Sequence, residues 1–169
     1  MLSHRILQKM LTTRLVSSFS PSFGFSSLSA CGDKLKQERV FSSSDVLEYS
    51  KVSLDSNPLH FDLECAQKAG FEDRLVPGML VASLFPRIIA SHFPGAVYVS
   101  QSLHFKLPVY IGEEIIGEVQ ATNIRAMKNK YLAKFKTKCF KHGDHLVIDG
   151  EATAILSTLA MEQGKSITI

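Results

Sequence analysis

Long uninterrupted apolar runs are absent from this chain of 169 residues. A charged residue interrupts every hydrophobic stretch before it reaches the roughly 18 residues that a transmembrane helix needs, so the sequence predicts no membrane span. Low-complexity composition is absent as well, since 45% of the residues are hydrophobic and 21% are charged. These fractions exclude collagen-like and wholly disordered chains. At this length we expect one folded domain.

Cysteine is scarce, and the chain contains only Cys31, Cys65 and Cys139. They form no C-x-x-C pair, and their spacing relative to the six histidines does not match that of a metal site. The sequence therefore predicts neither a disulfide scaffold nor a bound metal. Cys31 falls in the N-terminal segment discussed below, and we expect the other two to be small buried side chains, as unpaired cysteines usually are.

Acidic residues are missing from residues 1–32, which contain Arg5, Lys9 and Arg14. Of the 19 Lys and Arg residues in the chain, these three leave 16 in the remainder, which equals the number of Asp and Glu residues. The remainder is therefore near neutral and lacks the overall positive charge of a nucleic-acid-binding domain. We expect no nucleic-acid partner.

The segment of residues 1–32 is rich in Ser and Thr, and its apolar residues Leu2, Ile6 and Met10 recur at helical spacing among basic residues. A basic amphipathic helix of this kind is typical of mitochondrial import signals. A disordered tail of chance composition and a plastid signal are the alternatives. We expect a mitochondrial presequence over residues 1–32, a folded domain over residues 33–169, and a location in the mitochondrial matrix.

The folded part of the chain begins with helical patterns and ends with strand patterns. Helical signals cover residues 43–51, 62–68 and 78–92, and the third segment is apolar on nearly all sides and is interrupted by Pro86. After a short strand at residues 40–41, alternation of period two predicts strands over residues 97–105, 111–121, 130–140 and 146–159. This order predicts an α+β domain in which an antiparallel sheet wraps around one long central helix.

Asp55 and His60 stand five residues apart around a turn that contains Asn57 and Pro58. Asp and Asn side chains bond the local backbone and Pro fixes φ, so the turn can bring the carboxylate and the imidazole to one point. Such a pair suits proton transfer near neutral pH, because imidazole titrates in that range. The spacing fits a structural role too, with Asp55 and Asn57 as turn formers and His60 as an exposed or capping residue.

The stretch Ser53-Leu54-Asp55-Ser56-Asn57-Pro58-Leu59-His60 resembles the Ser-Gly-Asp-x-Asn-Pro-Leu-His signature of the MaoC-like, or type 2 enoyl hydratase, family. The resemblance continues through residues 71–80 and 99–113, and it covers the chain from about Arg39 to Thr158. Two positions depart from the family pattern. Leu54 replaces a glycine, which strains the turn if that position needs a positive φ. Pro77 replaces a histidine, and a proline there is suited to begin the central helix.

The resemblance implies a hot-dog fold, usually as a homodimer, with no cofactor. It implies that Asp55 and His60 catalyse the reversible syn loss of water from an (R)-3-hydroxyacyl thioester, because one pair on one face can take the α-proton and protonate the β-hydroxyl. The turn residues Asn57 and Pro58 would order this site. The thioester oxygen also needs a donor, for which the backbone N–H of Gly78 at the helix start is the candidate. Helix-start packing is the alternative role of Gly78.

A run of basic residues without any acid follows later in the chain. Its members are Arg125, Lys128, Lys130, Lys134, Lys136, Lys138 and Lys141. Lys134, Lys136 and Lys138 share one strand face, which ordinary patterning interprets as a solvated surface. The functional alternative is a docking surface for an acidic acyl carrier protein or for coenzyme A phosphates, with Arg74 and Lys106 as further candidates.

Three functions remain open from the sequence. The resemblance, together with the presequence, favours a dehydratase acting on acyl carrier protein in mitochondrial fatty-acid synthesis. An (R)-specific enoyl-CoA hydratase would use the same pair in the opposite direction. A non-catalytic protein that binds acyl thioesters is the third possibility, motivated by Leu54 and Pro77.

Overall fold

The computed structural model describes residues 26–27, 32 and 34–161. The helices are α1 (Ser43–Ser53), α2 (Leu63–Lys68), α3 (Gly78–Ala82) and α4 (Leu84–His92), with 3₁₀ turns at Pro58–His60 and His142–Asp144. The strands are β1 (Ser26–Ser27), β2 (Lys34–Val40), β3 (Val97–Phe105), β4 (Glu114–Met127), β5 (Lys130–Lys141), β6 (His145–Leu156) and β7 (Ala160–Met161).

Five of the strands form one antiparallel sheet in the order β2-β4-β5-β6-β3. The α+β prediction is confirmed. The predicted strand at residues 111–121 begins later, at Glu114, because a turn that joins the Glu113 N–H to the Tyr110 carbonyl at 3.1 Å comes first. The short strand predicted at residues 40–41 is the end of the longer strand β2.

The predicted long central helix is divided into α3 and α4, a break that Pro86 in its interior allows. The two helices meet at Ser83, three residues before Pro86. Pro86 causes this division, because a proline disrupts the helical turn that precedes it. Proline has no N–H to donate to the carbonyl four residues earlier, and its ring crowds that carbonyl. Pro86 therefore falls in the first turn of α4, where a missing N–H is tolerated.

Helix α4 packs directly on the inner face of the sheet. A Cβ atom added at Gly117 of β4 would lie 3.1 Å from Ile88 Cδ1 and 3.3 Å from Leu84 Cβ. Glycine at this position lets the helix approach the strand closely. The buried side chains around this contact come from α4 and from the central strands: Phe85, Ile88, Ile89, Ile115, Val119, Phe135 and Ile148.

The two cysteines in the described residues differ in burial. Cys139 is fully buried on β5, and burial raises the pKa of its thiol to about 12. Cys65 is only half-buried, so the expectation of a buried side chain is wrong for this residue. The reason is that α2 is a short surface helix that buries Ala66 alone. Every helix within the described residues is too short or too polar to span a membrane.

The N-terminal segment is described only in part. Strand β1 pairs with β7 in an antiparallel two-stranded sheet. The Gly32 N–H donates to the Ala121 carbonyl at 3.1 Å, and the Gly32 carbonyl accepts from Gln120 Nε2 at 3.1 Å. These contacts attach Ser26, Ser27 and Gly32 to the folded domain. The remaining residues of the predicted presequence, with Cys31, lie outside the described residues.

Candidate active site

Helix α1 leads into the predicted active-site turn. Ser42 caps the N-terminus of α1, since its hydroxyl accepts from the Asp45 N–H at 3.2 Å. The helix ends at Leu54, whose N–H donates to the Ser50 carbonyl at 2.8 Å and whose backbone is left-handed, with φ 59°. This is the position at which the signature that the sequence resembles has glycine. Leu54 adopts a conformation that costs a non-glycine residue about 1–2 kcal/mol.

Replacing Leu54 with Gly is expected to stabilise the protein by about 0.5–1 kcal/mol, because glycine relieves the left-handed strain. The lost side chain is 83% exposed and so contributes little burial. Urea unfolding measures the change. The matched control is Leu47→Gly inside α1, a residue that is 47% exposed, which should lose about 1 kcal/mol. Destabilisation by Leu54→Gly would show that the position is unstrained.

Two successive side-chain turns shape the loop between α1 and His60. Asp55 Oδ1 accepts from the Asn57 N–H at 3.1 Å, and Asn57 Oδ1 accepts from the Leu59 N–H at 3.1 Å. Pro58 then begins the 3₁₀ turn that ends at His60. Asn57 and Pro58 therefore order the loop, as their residue types predict. The Asn57 N–H contacts only Oδ1 of Asp55, so Oδ2 is not occupied by this backbone hydrogen bond.

The loop brings Asp55 and His60 together. Asp55 Oδ2 lies 3.6 Å from His60 Nε2, and the side chains are 41% and 11% exposed respectively. At this separation the two atoms are too far apart for a strong direct hydrogen bond, which leaves both able to contact a third group. The turn brings the two side chains close together, and His60 is buried rather than exposed.

The other ring nitrogen fixes the tautomer of His60. Nδ1 lies 2.9 Å from the Leu75 carbonyl oxygen. A carbonyl oxygen can only accept, so Nδ1 carries the proton and Nε2 of the neutral ring presents a lone pair. The Leu75 N–H donates to the Leu59 carbonyl at 3.0 Å, which ties the same residue to the neighbour of His60. Every residue has a backbone carbonyl, so no side chain in the sequence marks that of Leu75 as the acceptor for His60.

His60 forms part of the wall of an apolar cavity of about 470 Å³. Most of the lining is aliphatic or aromatic, and it comes from α3 and the loop before it, from the end of β3 and the loop after it, and from β6. It includes Phe71, Met79, Val81, Phe105, Val109 and Ile148. A cavity of this size and polarity is suited to an acyl chain. Gly78 and Lys106 line the same cavity. His60, which lies 3.6 Å from Asp55, therefore borders an apolar space.

Gly78 begins α3, and Pro77 precedes it as the N-cap residue. The Pro77 carbonyl accepts from the N–H groups of Leu80 and Val81 at 2.9 and 3.1 Å, so Pro77 begins the helical segment as predicted. First-turn N–H groups have no acceptor within their own helix, which leaves that of Gly78 available to the cavity. A Cβ atom at Gly78 would lie 2.8 Å from Phe105 Cε1. Both the donor role and the packing role thus fit this position.

The candidate docking residues fall in two places. Lys106 lines the cavity, and Arg74 directly precedes Leu75, with its Nε 3.6 Å from Asp73 Oδ1. The remaining four lie away from the cavity, on β4 or on the outer face of β5: Arg125, Lys134, Lys136 and Lys138. The structure therefore does not bring these four residues to the acid/base pair.

Acidic residues of neighbouring strands offset the lysines of the outer face. Lys138 lies opposite Asp149 on β6 and Glu118 on β4, and Lys136 lies opposite Glu151 on β6. Glu118 also receives ion pairs from Lys34 and Lys36 of β2, at 3.0 and 3.3 Å. Burial disfavours its charge, but the hydrogen bonds from these two lysines lower its pKa. The outer face therefore alternates in charge, which favours the interpretation as a solvated surface.

Comparisons with known proteins agree on one family. Residues 27–139 match the family model described as MaoC like domain. The chain is 67% identical to the tomato (Solanum lycopersicum) protein named 3-hydroxyacyl-[acyl-carrier-protein] dehydratase FERN, mitochondrial, over 90% of this chain and 94% of that one. It is 65% identical to the Arabidopsis thaliana protein named 3-hydroxyacyl-[acyl-carrier-protein] dehydratase, mitochondrial, over 86% and 88% of the two chains.

A solved structure shares the fold. The (R)-hydratase from A. caviae involved in PHA biosynthesis superposes with a TM-score of 0.69 at 37% sequence identity, over 74% of this chain and 95% of that one. The implied hot-dog fold is thereby confirmed, with the difference that its helix is divided at Ser83.

Proposed function

The chain belongs to the MaoC-like domain family, and we propose that it is the 3-hydroxyacyl-[acyl-carrier-protein] dehydratase of mitochondrial fatty-acid synthesis. It is a hydro-lyase, which breaks the Cβ–O and Cα–H bonds of a 3-hydroxyacyl thioester to give a 2-enoyl thioester and water. The observation that carries the proposal is the Asp55–His60 pair, 3.6 Å apart, whose His60 lines an apolar cavity of about 470 Å³. Its mitochondrial relatives support the choice of substrate carrier.

The Leu75 carbonyl engages Nδ1 of His60, so we assign proton transfer to Nε2 of His60 and Oδ2 of Asp55. The pair takes the α-proton and returns a proton to the departing β-hydroxyl, so the enzyme ends in the state in which it began. Both groups act from one side of the substrate, as syn elimination of an (R)-alcohol requires. Hydration is the same path in reverse.

Charge that develops on the thioester oxygen during α-proton removal needs a donor. We assign this role to the backbone N–H of Gly78, which borders the same cavity as His60. A backbone donor fixed at a helix start needs no reorganisation during the reaction. Lys106, the lysine in the cavity lining, together with Arg74, is assigned to docking of the carrier or its phosphate. The outer-face residues Lys134, Lys136 and Lys138 lie on β5 away from this cavity, with acidic residues opposite Lys136 and Lys138, and are not included.

We further propose a homodimer formed through β3. This strand is an edge of the sheet within the described residues, and its sequence contains no Lys, Arg, Asp or Glu. It exposes Val97, Val99 and Phe105, each at least 52% accessible. The opposite edge, β2, carries Lys and Glu side chains of the kind that prevents edge pairing. Sedimentation equilibrium should give the mass of two chains, and a monomer would contradict the proposal.

The mature protein is proposed to reside in the mitochondrial matrix after removal of an N-terminal presequence. The names of its relatives include the word mitochondrial, and the basic amphipathic pattern of the first residues supports import. Because β1 pairs with β7, the boundary expected at residue 32 is better placed before Ser26. N-terminal sequencing of the protein from mitochondria tests this position, and a mature terminus after Ser27 would exclude it.

The function is tested with purified protein and matched substrates on the two carriers. We expect dehydration of (R)-3-hydroxyacyl-carrier protein and hydration of the corresponding trans-2-enoyl thioester to the (R)-alcohol, with the higher kcat/KM on the carrier protein. The second candidate, an (R)-specific hydratase acting on coenzyme A esters, is favoured by the similarity to the A. caviae (R)-hydratase. A higher kcat/KM on coenzyme A esters would select it. Binding of both thioesters without turnover would select the non-catalytic alternative.

A further inference from the structure

Lys141 and Glu113 form a largely buried ion pair between the end of β5 and the loop that precedes β4. Lys141 Nζ is 3.1 Å from Glu113 Oε1, and their side chains are only 16% and 25% exposed. The basic run in the sequence contains Lys141, but its other lysines lie on exposed or outer positions. A charge pair withdrawn from water in this way is costly to break, because removal of one partner leaves the other charge buried and unpaired.

All three contacts of the Lys141 ammonium belong to one turn, residues 108–113. Besides Glu113, the Nζ atom contacts the Pro108 carbonyl at 3.1 Å and lies 5.4 Å from the centre of the Tyr110 ring. Glu113 Oε2 in turn accepts from the Tyr110 N–H at 3.0 Å. Lys141 lies at the end of β5. Its ammonium group therefore contacts the turn at the Pro108 carbonyl, the Tyr110 ring and the Glu113 carboxylate.

The turn at residues 108–113 is hydrogen-bonded to residues 74–76, the segment whose Leu75 carbonyl orients His60. The Val76 N–H donates to the Val109 carbonyl at 2.8 Å, and the Ile111 N–H donates to the Arg74 carbonyl at 3.1 Å. Leu75 lies between these two hydrogen bonds, in an antiparallel bridge with Tyr110. Its carbonyl is the acceptor for His60 Nδ1. A continuous series of contacts thus runs from Lys141 through the turn and Leu75 to the imidazole.

We propose that Lys141, with Glu113, is a positioning residue for His60: by fixing the turn at residues 108–113 it holds the Leu75 carbonyl that keeps His60 in its Nδ1–H tautomer with Nε2 facing the substrate. This rests on the proposed function, because the consequence for turnover requires His60 to be catalytic. Lys141 itself contacts no substrate. The effect follows from geometry alone, since small displacements of a catalytic group reduce the rate steeply.

The test compares Lys141→Met with the wild type in two measurements. We expect kcat to fall about tenfold to a hundredfold with the smaller part of the change in KM, and the imidazole ¹⁵N signals of His60 to move as the hydrogen bond to Leu75 weakens. Lys141→Arg, which keeps the charge and the donors, should restore kcat to within about threefold. The control is Lys36→Met on β2, because Glu118 keeps its partner Lys34 and the site lies on the outer face.

Several outcomes would overturn the proposal. Unchanged kcat and unchanged His60 ¹⁵N signals in folded Lys141→Met would do so, as would a loss of kcat without any change in those signals, since the damage would then lie in the cavity wall. If Lys141→Met does not fold, Glu113→Gln keeps the shape and the acceptor for the Tyr110 N–H and carries the same expectations. A wild-type protein without dehydratase activity would overturn the proposed function instead, and the His60 signals would still decide the positioning role.

Discussion

Replacement of Asp55 with Ala is expected to lower kcat for hydration of a short trans-2-enoyl thioester by about 10³ to 10⁴-fold. The reason is that Oδ2 of Asp55 and Nε2 of His60 lie 3.6 Å apart, and the proposed mechanism assigns both proton transfers to these two groups alone. His60→Asn should cause a loss of similar size. Discontinuous assays with long incubation times measure the residual rates of both variants.

The double variant separates a working pair from two independent residues. If Asp55 and His60 act as one unit, Asp55→Ala combined with His60→Asn should be no slower than the poorer single variant. Glu48→Gln on the exposed face of α1 is the matched control and should retain full activity. Circular dichroism must show that all variants are folded. More than a tenth of wild-type kcat in either single variant would refute the proposed catalytic role.

Local chemistry made the acid/base turn predictable. Asp55, Asn57 and Pro58 act on the backbone within two residues of themselves, so their effect on the loop can be inferred without knowing the rest of the fold. The same holds for Leu54, where strain was expected if the turn needs a positive φ, and the structure has φ 59°. Features that depend on nearest neighbours in the chain were thus accessible from the sequence.

Features that depend on residues distant in the sequence could not be predicted from the sequence. The lysines of β5 form an acid-free run in sequence, yet Glu118, Asp149 and Glu151 arrive beside them from two other strands. Only strand register reveals that pairing. Leu75 is a similar case, because its role is carried by a backbone carbonyl that meets His60 from 15 residues away. The position of the helix division also needed the structure, since Pro86 acts on the turn before it.

Gly150→Ala is expected to destabilise the protein by about 3 kcal/mol or more, at the upper end of overpacking effects. A Cβ atom at Gly150 would overlap the Ser102 carbonyl oxygen, a backbone atom of β3 that cannot rotate away. Strands β3 and β6 would have to separate at the centre of their pairing. Urea unfolding gives the size of the effect. The matched control is Gly117→Ala on β4, where the added methyl meets only side-chain atoms of Leu84 and Ile88, and we expect a loss of about 1 kcal/mol.

Separation of β3 from β6 should also reach the active site. Phe105, three residues after Ser102 on β3, contributes to the cavity wall and lies against Gly78. A Gly150→Ala protein that remains folded at low temperature should therefore lose acyl-chain binding, seen as a raised KM, and should dissociate more readily if β3 forms the dimer edge. Gly117→Ala should leave KM unchanged, since Gly117 lies against Leu84 and Ile88 of α4, which do not line the cavity. A Gly150→Ala variant of wild-type stability would mean that β3 is held less closely to β6 than the structure indicates.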